Sequence, residues 1–134
     1  MSISEVEVKA SENKRVIGLN LALVCGAVSG EPEVRVLESG KRLATFSLRV
    51  RADAEPAVSV PVTVWEPAVW IEDLVMGEEV VVVGRVRRRF FALATGGRGN
   101  RVDVEATYVG RAKQKRQLDC AVRRAEQALG SLGG

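Results

Sequence analysis

Short apolar runs separated by turn residues recur along the chain, and their spacing predicts a mostly β protein. Most runs alternate apolar and polar residues, as expected of strands with one buried face. The first run is nearly continuous and is interrupted at Gly30, Glu31 and Pro32, where we expect a bend or bulge. The predicted strands cover residues 16–28 with a continuation at 33–37, then 43–51, 58–65, 78–89 and 101–109.

One helical segment interrupts the strands. Pro67 suits a first helical turn and Gly77 a C-terminal stop, which predicts a helix over residues 67–76. Five strands with one helix between the third and the fourth form the layout of an OB-fold barrel. We therefore predict an all-β, five-stranded OB-fold barrel over residues 16–110, preceded by a flexible arm at 1–15.

The apolar period changes after Gly110. Apolar residues spaced by four, three and four places predict one helical stripe, which consists of Leu118, Val122, Ala125 and Leu129. Residues 111–134 are thus expected to form a basic, partly helical extension. Packing on the barrel, packing on a neighbouring subunit and fraying all remain open for this helix, and we favour packing.

Composition narrows the class of protein. The chain of 134 residues is 46% apolar and 28% charged, which is ordinary for one folded domain. No apolar run approaches the ~20 residues of a membrane span, and the N-terminus lacks the features of a secretory signal. We therefore expect a cytoplasmic protein that binds no membrane, with Cys25 and Cys120 reduced.

The chain has few residues suited to catalysis or metal binding. The chain has no histidine, which is the commonest general base and metal ligand, and it has no cysteine cluster suited to zinc. The glycines at 96, 97 and 99 lie between two predicted strands and open no helix, so they fit a hairpin turn better than a phosphate loop. We predict no enzymatic activity, no metal site and no cofactor.

Positive charge is concentrated in two places. The net charge is only +3, yet no acidic residue occurs between Glu79 and Asp103, and a second basic cluster begins at Arg111. Local concentration of one sign is the footprint of a polyanion partner, although a solvated charged face has the same composition. The basic residues of the first cluster are Arg85, Arg87, Arg88, Arg89, Arg98 and Arg101.

Residues 84–91 carry the most specific signal. In a strand, alternate residues share one face, and here that face carries Arg85, Arg87, Arg89 and Phe91. Guanidiniums roughly 6–7 Å apart can follow a phosphate backbone, and the Phe91 ring can stack on a base. The alternative is an outward face whose arginines pair with Asp103 or Glu105 on the neighbouring strand.

Aromatic residues are few, so the position of each one matters. Trp65 ends a strand on its polar face, where it can stack on a base or pack under the loop at 92–98. Trp70 lies within the helical segment, and we expect it to pack on the barrel. Phe90 points away from the arginine row, so we assign it to the core.

Several separated segments resemble, in order and spacing, the bacterial single-stranded-DNA-binding protein family. They lie at residues 20–26, 31–35, 40–48, 62–65, 76–78, 80–91 and 100–109. The resemblance implies an OB barrel, usually a homotetramer, that coats single-stranded DNA without sequence preference in replication, repair or recombination. The family's stacking aromatics and strand arginines carry over to Trp65, Phe91, Arg87 and Arg89.

Two departures from the family pattern change the expectation. Ala54 and Ser59 stand where the family often has tryptophan, which implies binding that depends more on charge. The chain ends in a basic segment and not in an acidic, aromatic-ended tip, so we do not expect it to recruit repair enzymes that way. We add the remaining arginines of the expected interface, Arg35, Arg49, Arg51, Arg85, Arg98 and Arg101.

Three functional hypotheses follow. The first is a homo-oligomer that coats single-stranded DNA, with a tetramer expected and a dimer possible. The second is an accessory replication factor that resembles the primosomal replication protein, which often forms dimers. The third is an OB barrel that binds protein and no nucleic acid.

Overall fold

The computed structural model describes residues 18–133, so the predicted arm at 1–15 lies outside the described residues. Within this range, six strands and two helices follow one another. The strands are β1 (Ala22–Val28), β2 (Glu33–Val36), β3 (Arg42–Val50), β4 (Val58–Trp65), β5 (Glu79–Ala92) and β6 (Arg98–Arg111). The helices are α1 (Val69–Glu72) and α2 (Lys115–Gly133).

The strands form one sheet in the order β1-β5-β6-β4-β3-β2. Strand β1 pairs in addition with β3 at Ala27 and Val28. The pairings therefore run in a closed circuit through β1, β5, β6, β4 and β3, with β2 attached to β3. The mostly β architecture expected from the sequence is confirmed.

Strand number and helix length differ from the expectation. The first predicted strand is interrupted at residues 30–32, because Pro32 has no amide hydrogen to donate to a neighbouring strand. Its continuation is a separate strand, β2, so that the structure has six strands instead of five. Helix α1 has four residues instead of the predicted ten. Its N-cap, Ala68, offers no side-chain hydrogen bond, and the backbone leaves the helical conformation at Asp73.

The apolar core lies inside the circuit of strands. Its central members are fully buried valines, leucines and one phenylalanine, and Trp70 packs against them as expected. The guanidinium of Arg111 covers the outer side of the Trp70 ring at 4.6 Å from its centroid. The buried core residues include Val28, Phe46, Leu48, Val62, Val64, Val80, Val82 and Val104.

Helix α2 packs on the outside of the sheet. Its buried Ala121 contacts Val81 and Val83 of β5, with Leu118 at the edge of the cluster. Packing of this helix on its own chain is thereby confirmed, and fraying is wrong for it. The predicted stripe is wrong in part, because Val122 and Leu129 are exposed while Ala121 and Ala125 are buried. Small alanine side chains allow the helix to approach the sheet closely.

Strand β5 is thus covered on both faces over its first half, which explains its unbroken run of valines. The register between β5 and β6 shifts at Val83 and Gly84. A Cβ at Gly84 would lie 2.2 Å from the carbonyl oxygen of Glu105, so only glycine fits this close approach. None of the helices within residues 18–133 is long and apolar enough to span a membrane.

Candidate nucleic-acid interface

Beyond Gly84 the two longest strands continue as a ribbon, which comprises residues 85–92 of β5 and 98–105 of β6. Strand β1 stops pairing with β5 at Gly84, and β4 pairs with β6 only at Val104 and Glu105. The ribbon therefore extends past the body of the sheet, and apart from the buried Asp103 and Val104 its residues are exposed or half-buried. Its two faces carry different residues.

The arginine face of the ribbon is the one that the sequence predicts. The register places Arg85 opposite Glu105, Arg87 opposite Asp103 and Arg89 opposite Arg101. The face as a whole consists of Arg85, Arg87, Arg89 and Phe91 on β5 and of Gly99, Arg101, Asp103 and Glu105 on β6. The predicted sharing of one face by these β5 residues agrees with the structure.

Carboxylates neutralise part of this arginine row. Arg85 Nη2, Arg87 Nε and Arg89 Nη2 lie 3.3, 3.5 and 3.0 Å from the Glu105 carboxylate oxygens. Arg89 Nε also donates to Asp103 Oδ2 at 2.8 Å. The ion pairing that the sequence left open is therefore present. Phosphate contact and ion pairing are not exclusive, because Arg85 and Arg87 remain half exposed.

Asp103 anchors the centre of the arginine face. Its side chain is fully buried, and its Oδ2 also accepts a hydrogen bond from Thr63 Oγ1 at 2.7 Å. Its Oδ1 is buried without a hydrogen-bond partner among residues 18–133. Because a buried carboxylate is costly unless it is paired, Arg89 is held firmly against Asp103. Arg89 is thus less free to reach a ligand than its neighbours.

The pKa shifts report the same ion-pair network. Burial opposes ionisation of Glu105, yet the hydrogen bond from Arg89 and the charge of Arg87 outweigh it and lower the pKa of Glu105. Burial likewise opposes the charge on Arg89, but hydrogen bonds to Asp103 and Glu105 raise the pKa of Arg89. Both groups are therefore charged at neutral pH.

Phe91 ends the arginine face with a supported ring. A Cβ at Gly99 would lie 2.6 Å from Phe91 Cε2, so the ring lies directly over the Gly99 backbone. Phe91 is 47% exposed, so part of the ring remains accessible to solvent. A ring that lies over backbone and is partly accessible gives a flat platform on which a base can stack.

Phe90 is not a core residue, and its assignment to the core is wrong. It is 64% exposed, because the ribbon extends past the strands and the helix that enclose the core. It lies on the second face of the ribbon, the Phe90 face, together with Val86, Arg88 and Val102. The pairing of β5 with β1 stops at Gly84, and no pattern in the sequence marks that end.

Trp65 lies on the same outer surface as the arginine face. It is 39% exposed at the end of β4, and it is paired with Leu43 of β3. Because β4 runs parallel to β6 with Thr63 beside Glu105, Trp65 is displaced from Glu105 in the direction away from Phe91. The two candidate stacking residues thus lie at opposite ends of the arginine row.

Apart from Arg101, which belongs to the arginine face, the remaining predicted arginines are dispersed. Arg35 and Arg49 are exposed on the outer surface of β2 and β3, and Arg101 lines a shallow pocket between β3, β4 and the β1–β2 loop. Arg51 lies in the loop after β3, where its Nε is 3.5 Å from the Glu55 carbonyl oxygen. The register places Arg98 on the Phe90 face, so it does not join the row.

Comparison with known proteins identifies the family. A sequence profile of the single-strand binding protein family matches residues 19–112. The chain belongs to this family. The match spans all six strands and ends before α2 begins.

The solved structures contain a related fold. A deletion variant of the single-stranded DNA binding protein from Thermus aquaticus superimposes with a TM-score of 0.60 at 22% sequence identity. The likeness covers 72% of this chain but only 42% of that protein's chain, and at this identity it supports the fold alone. None of the curated proteins compared with the chain matches it.

The structure places the two positions, Ala54 and Ser59, at which the resemblance implies tryptophan in relatives. Ala54 is exposed in the β3–β4 loop, and Ser59 is exposed on β4 opposite Arg49. Tryptophan at either position would present an indole to solvent, so the structure is compatible with the stacking role that the resemblance implies there. Among residues 18–133, no group of three or more histidine, cysteine or acidic side chains is arranged to hold a metal ion.

Proposed function

We propose that this protein binds single-stranded DNA without sequence preference, through the arginine face of an OB-fold barrel. The carrying observation is the row of guanidiniums on β5 that ends in the supported, half-exposed ring of Phe91. Guanidiniums bind phosphate oxygens of any sequence, and an aromatic ring stacks on any base. Such an interface recognises a flexible strand and no particular sequence.

The dimensions of the row support this proposal. Arg85 and Phe91 are six residues apart on one strand, which corresponds to roughly 20 Å at ~3.4 Å per residue. Trp65 extends the row at the Arg85 end. A strand that follows this path meets a stacking platform at each end and charges between them, as single-strand binding surfaces require.

A titration with fluorescently labelled oligo-dT tests the proposal. The anisotropy of the label should report binding at low salt, and the binding constant should fall steeply as salt rises. For single strands the logarithmic slope is about −0.7 per bound phosphate. If long oligo-dT does not bind at low salt, the proposed function is wrong. A duplex of the same length is the matched control for strand preference.

Substitution of each tryptophan in turn distinguishes an effect on DNA binding from an effect on folding stability. Trp65→Ala should weaken oligo-dT binding by about 1–3 kcal/mol, because it removes one stacking platform. Trp70→Ala should leave binding largely intact but lower the midpoint of urea unfolding, since Trp70 packs against the core. Unchanged affinity in a folded Trp65→Ala variant would remove Trp65 from the interface.

The finer parts of the proposal concern assembly and process. We propose a homotetramer that coats single strands in replication, repair or recombination. Mass measurement in solution checks the assembly, and a dimer would favour an accessory replication factor instead.

The exposed apolar side chains of the Phe90 face favour a contact with another chain, so a protein-binding barrel without DNA affinity is the third outcome of these measurements. We propose no enzymatic role, and a cytoplasmic location stays a prediction from the sequence.

A further inference from the structure

The arginine face contains its own counterions. Two carboxylates, Asp103 and Glu105, contact all the arginines of this face at distances between 2.8 and 4.0 Å. A phosphate group that binds here needs the same N–H donors that these carboxylates already occupy. A bound phosphate would therefore have to displace one of the two carboxylates from its arginines.

Asp103 is built into the fold. It is fully buried, and it binds Arg89 and Thr63 through short hydrogen bonds of 2.8 and 2.7 Å. Removing its charge would leave the guanidinium of Arg89 without its closest partner. Asp103 and Arg89 therefore form a fixed pair, which supports the ribbon and does not exchange with a ligand.

Glu105 shares Arg89 with Asp103, because Arg89 Nη2 donates to Glu105 Oε2 at 3.0 Å, but Glu105 also contacts two more exposed arginines. Its side chain is 14% exposed, and it lies beneath the half-exposed guanidiniums of Arg85 and Arg87. The distances to these two arginines measure 3.3 and 3.5 Å, longer than the ~2.7–2.9 Å of a strong charge-assisted hydrogen bond. Both guanidiniums are thus loosely held by Glu105, and about half of each arginine side chain is exposed to solvent.

We propose that Glu105 is an internal competitor of nucleic-acid phosphates: its carboxylate occupies Arg85 and Arg87 in the free protein and thereby limits the affinity of the arginine face. The inference rests on the proposed function. The loose pairing with Arg85 and Arg87 gives Glu105 little influence on their geometry. Its charge, in contrast, repels any phosphate that approaches them across a partly desolvated surface.

The test replaces the carboxylate by a neutral group of the same shape. Glu105→Gln should strengthen oligo-dT binding at low salt about fivefold, the equivalent of one half-exposed ion pair. The logarithmic salt dependence should steepen by about 0.7 for each additional phosphate that the arginine face binds. The matched control is Glu79→Gln, which removes the same charge from the base of β5, where Glu79 pairs with Lys113 at 3.2 Å.

The outcomes separate competition from other roles. Equal strengthening by both variants would mean that only net charge matters, and it would overturn the inference. Weaker binding of Glu105→Gln would overturn it too, because it would show that Glu105 positions the arginines. If Glu105→Gln does not fold, Glu105→Ala also removes the charge, and it should bind more tightly than the wild type; unchanged binding would refute competition.

Failure of the inference is distinguishable from failure of the proposed function. A wild-type protein that binds oligo-dT, together with a Glu105→Gln variant of unchanged affinity, refutes only the role of Glu105. A wild-type protein and a variant that both fail to bind at low salt refute the proposed function, and the inference falls with it.

Discussion

The two halves of strand β5 have the same secondary structure and opposite surroundings. From Val80 to Val83 the strand is buried on both faces, by the core inside the circuit of strands and by α2 outside it. From Arg85 to Phe91 its only partner strand is β6, the Asn20 side chain hydrogen-bonds to the backbone of Val86, and most side chains are exposed. The register shift at Gly84 separates the halves.

The difference shows how one strand can serve stability and recognition separately. In the first half each side chain has neighbours on its face, so a substitution there acts on folding. In the second half the backbone is held by β6, while most side chains reach solvent, so a substitution there acts on binding. Val82 and Val86 make this contrast testable, because they point to the same side of the strand and are 0% and 46% exposed.

The largest effect is expected from placing a carboxylate in the buried half. Val82→Asp should cost at least about 4 kcal/mol of unfolding free energy, because it buries a charge without a partner. Val86→Asp, the same change in the ribbon, should cost less than about 1 kcal/mol. Urea unfolding followed by circular dichroism measures both. Equal losses would show that the ribbon is as tightly packed as the buried half of β5.

The buried half of this comparison could be predicted from the sequence. A run of four valines indicates a strand covered on both faces, and the alternating strands β3 and β4 show which residues face the core. The length of α1 could not be predicted, because its end depends on how Ile71 and Leu74 pack in the core of the sheet. Likewise, the sequence does not show which face of α2 packs on the sheet. That face is set by the close fit of the small Ala121 to β5, whereas the predicted stripe runs mainly through larger apolar residues.

The ribbon could be predicted only in part. Period-two alternation correctly groups Arg85, Arg87 and Arg89 with Phe91, because parity is a local property of a strand. The exposure of Phe90 depends instead on where β1 stops pairing with β5, which is a long-range property. For the same reason the sequence indicated ion pairs between the arginine row and Asp103 or Glu105 as one alternative, but it could not show whether these ion pairs form.

Two adjacent phenylalanines sharpen the comparison between the faces of the ribbon. Phe91→Ala should weaken oligo-dT binding by about 1–3 kcal/mol, because it removes the platform that Gly99 supports. Phe90→Ala should change affinity less than about threefold, since Phe90 lies on the opposite face. Both residues are exposed, so both variants should unfold near the wild-type urea concentration. A larger loss for Phe90→Ala would place the strand on the Phe90 face.

The smallest expected effect is a decrease of the unfolding free energy at acidic pH that arises from Glu105 in the ribbon. The pKa of Glu105 in the folded protein is lowered: burial opposes ionisation, but Arg89, Arg87 and Arg85 outweigh it. The stability that its charge contributes is therefore complete above the unfolded pKa of about 4.3 and is lost as pH falls through the lower folded value. Between pH 5 and 3 the unfolding free energy of Glu105→Gln should fall less than that of the wild type.

The matched control for this difference is again Glu79→Gln, whose carboxylate faces the exposed Lys113 at the base of β5. Oligo-dT affinity adds a second readout, because protonation of Glu105 neutralises the same carboxylate as the Gln variant. The affinity advantage of Glu105→Gln should therefore shrink as pH falls through the lowered pKa of Glu105. An advantage independent of pH would show that the variant acts through its shape and not through its charge.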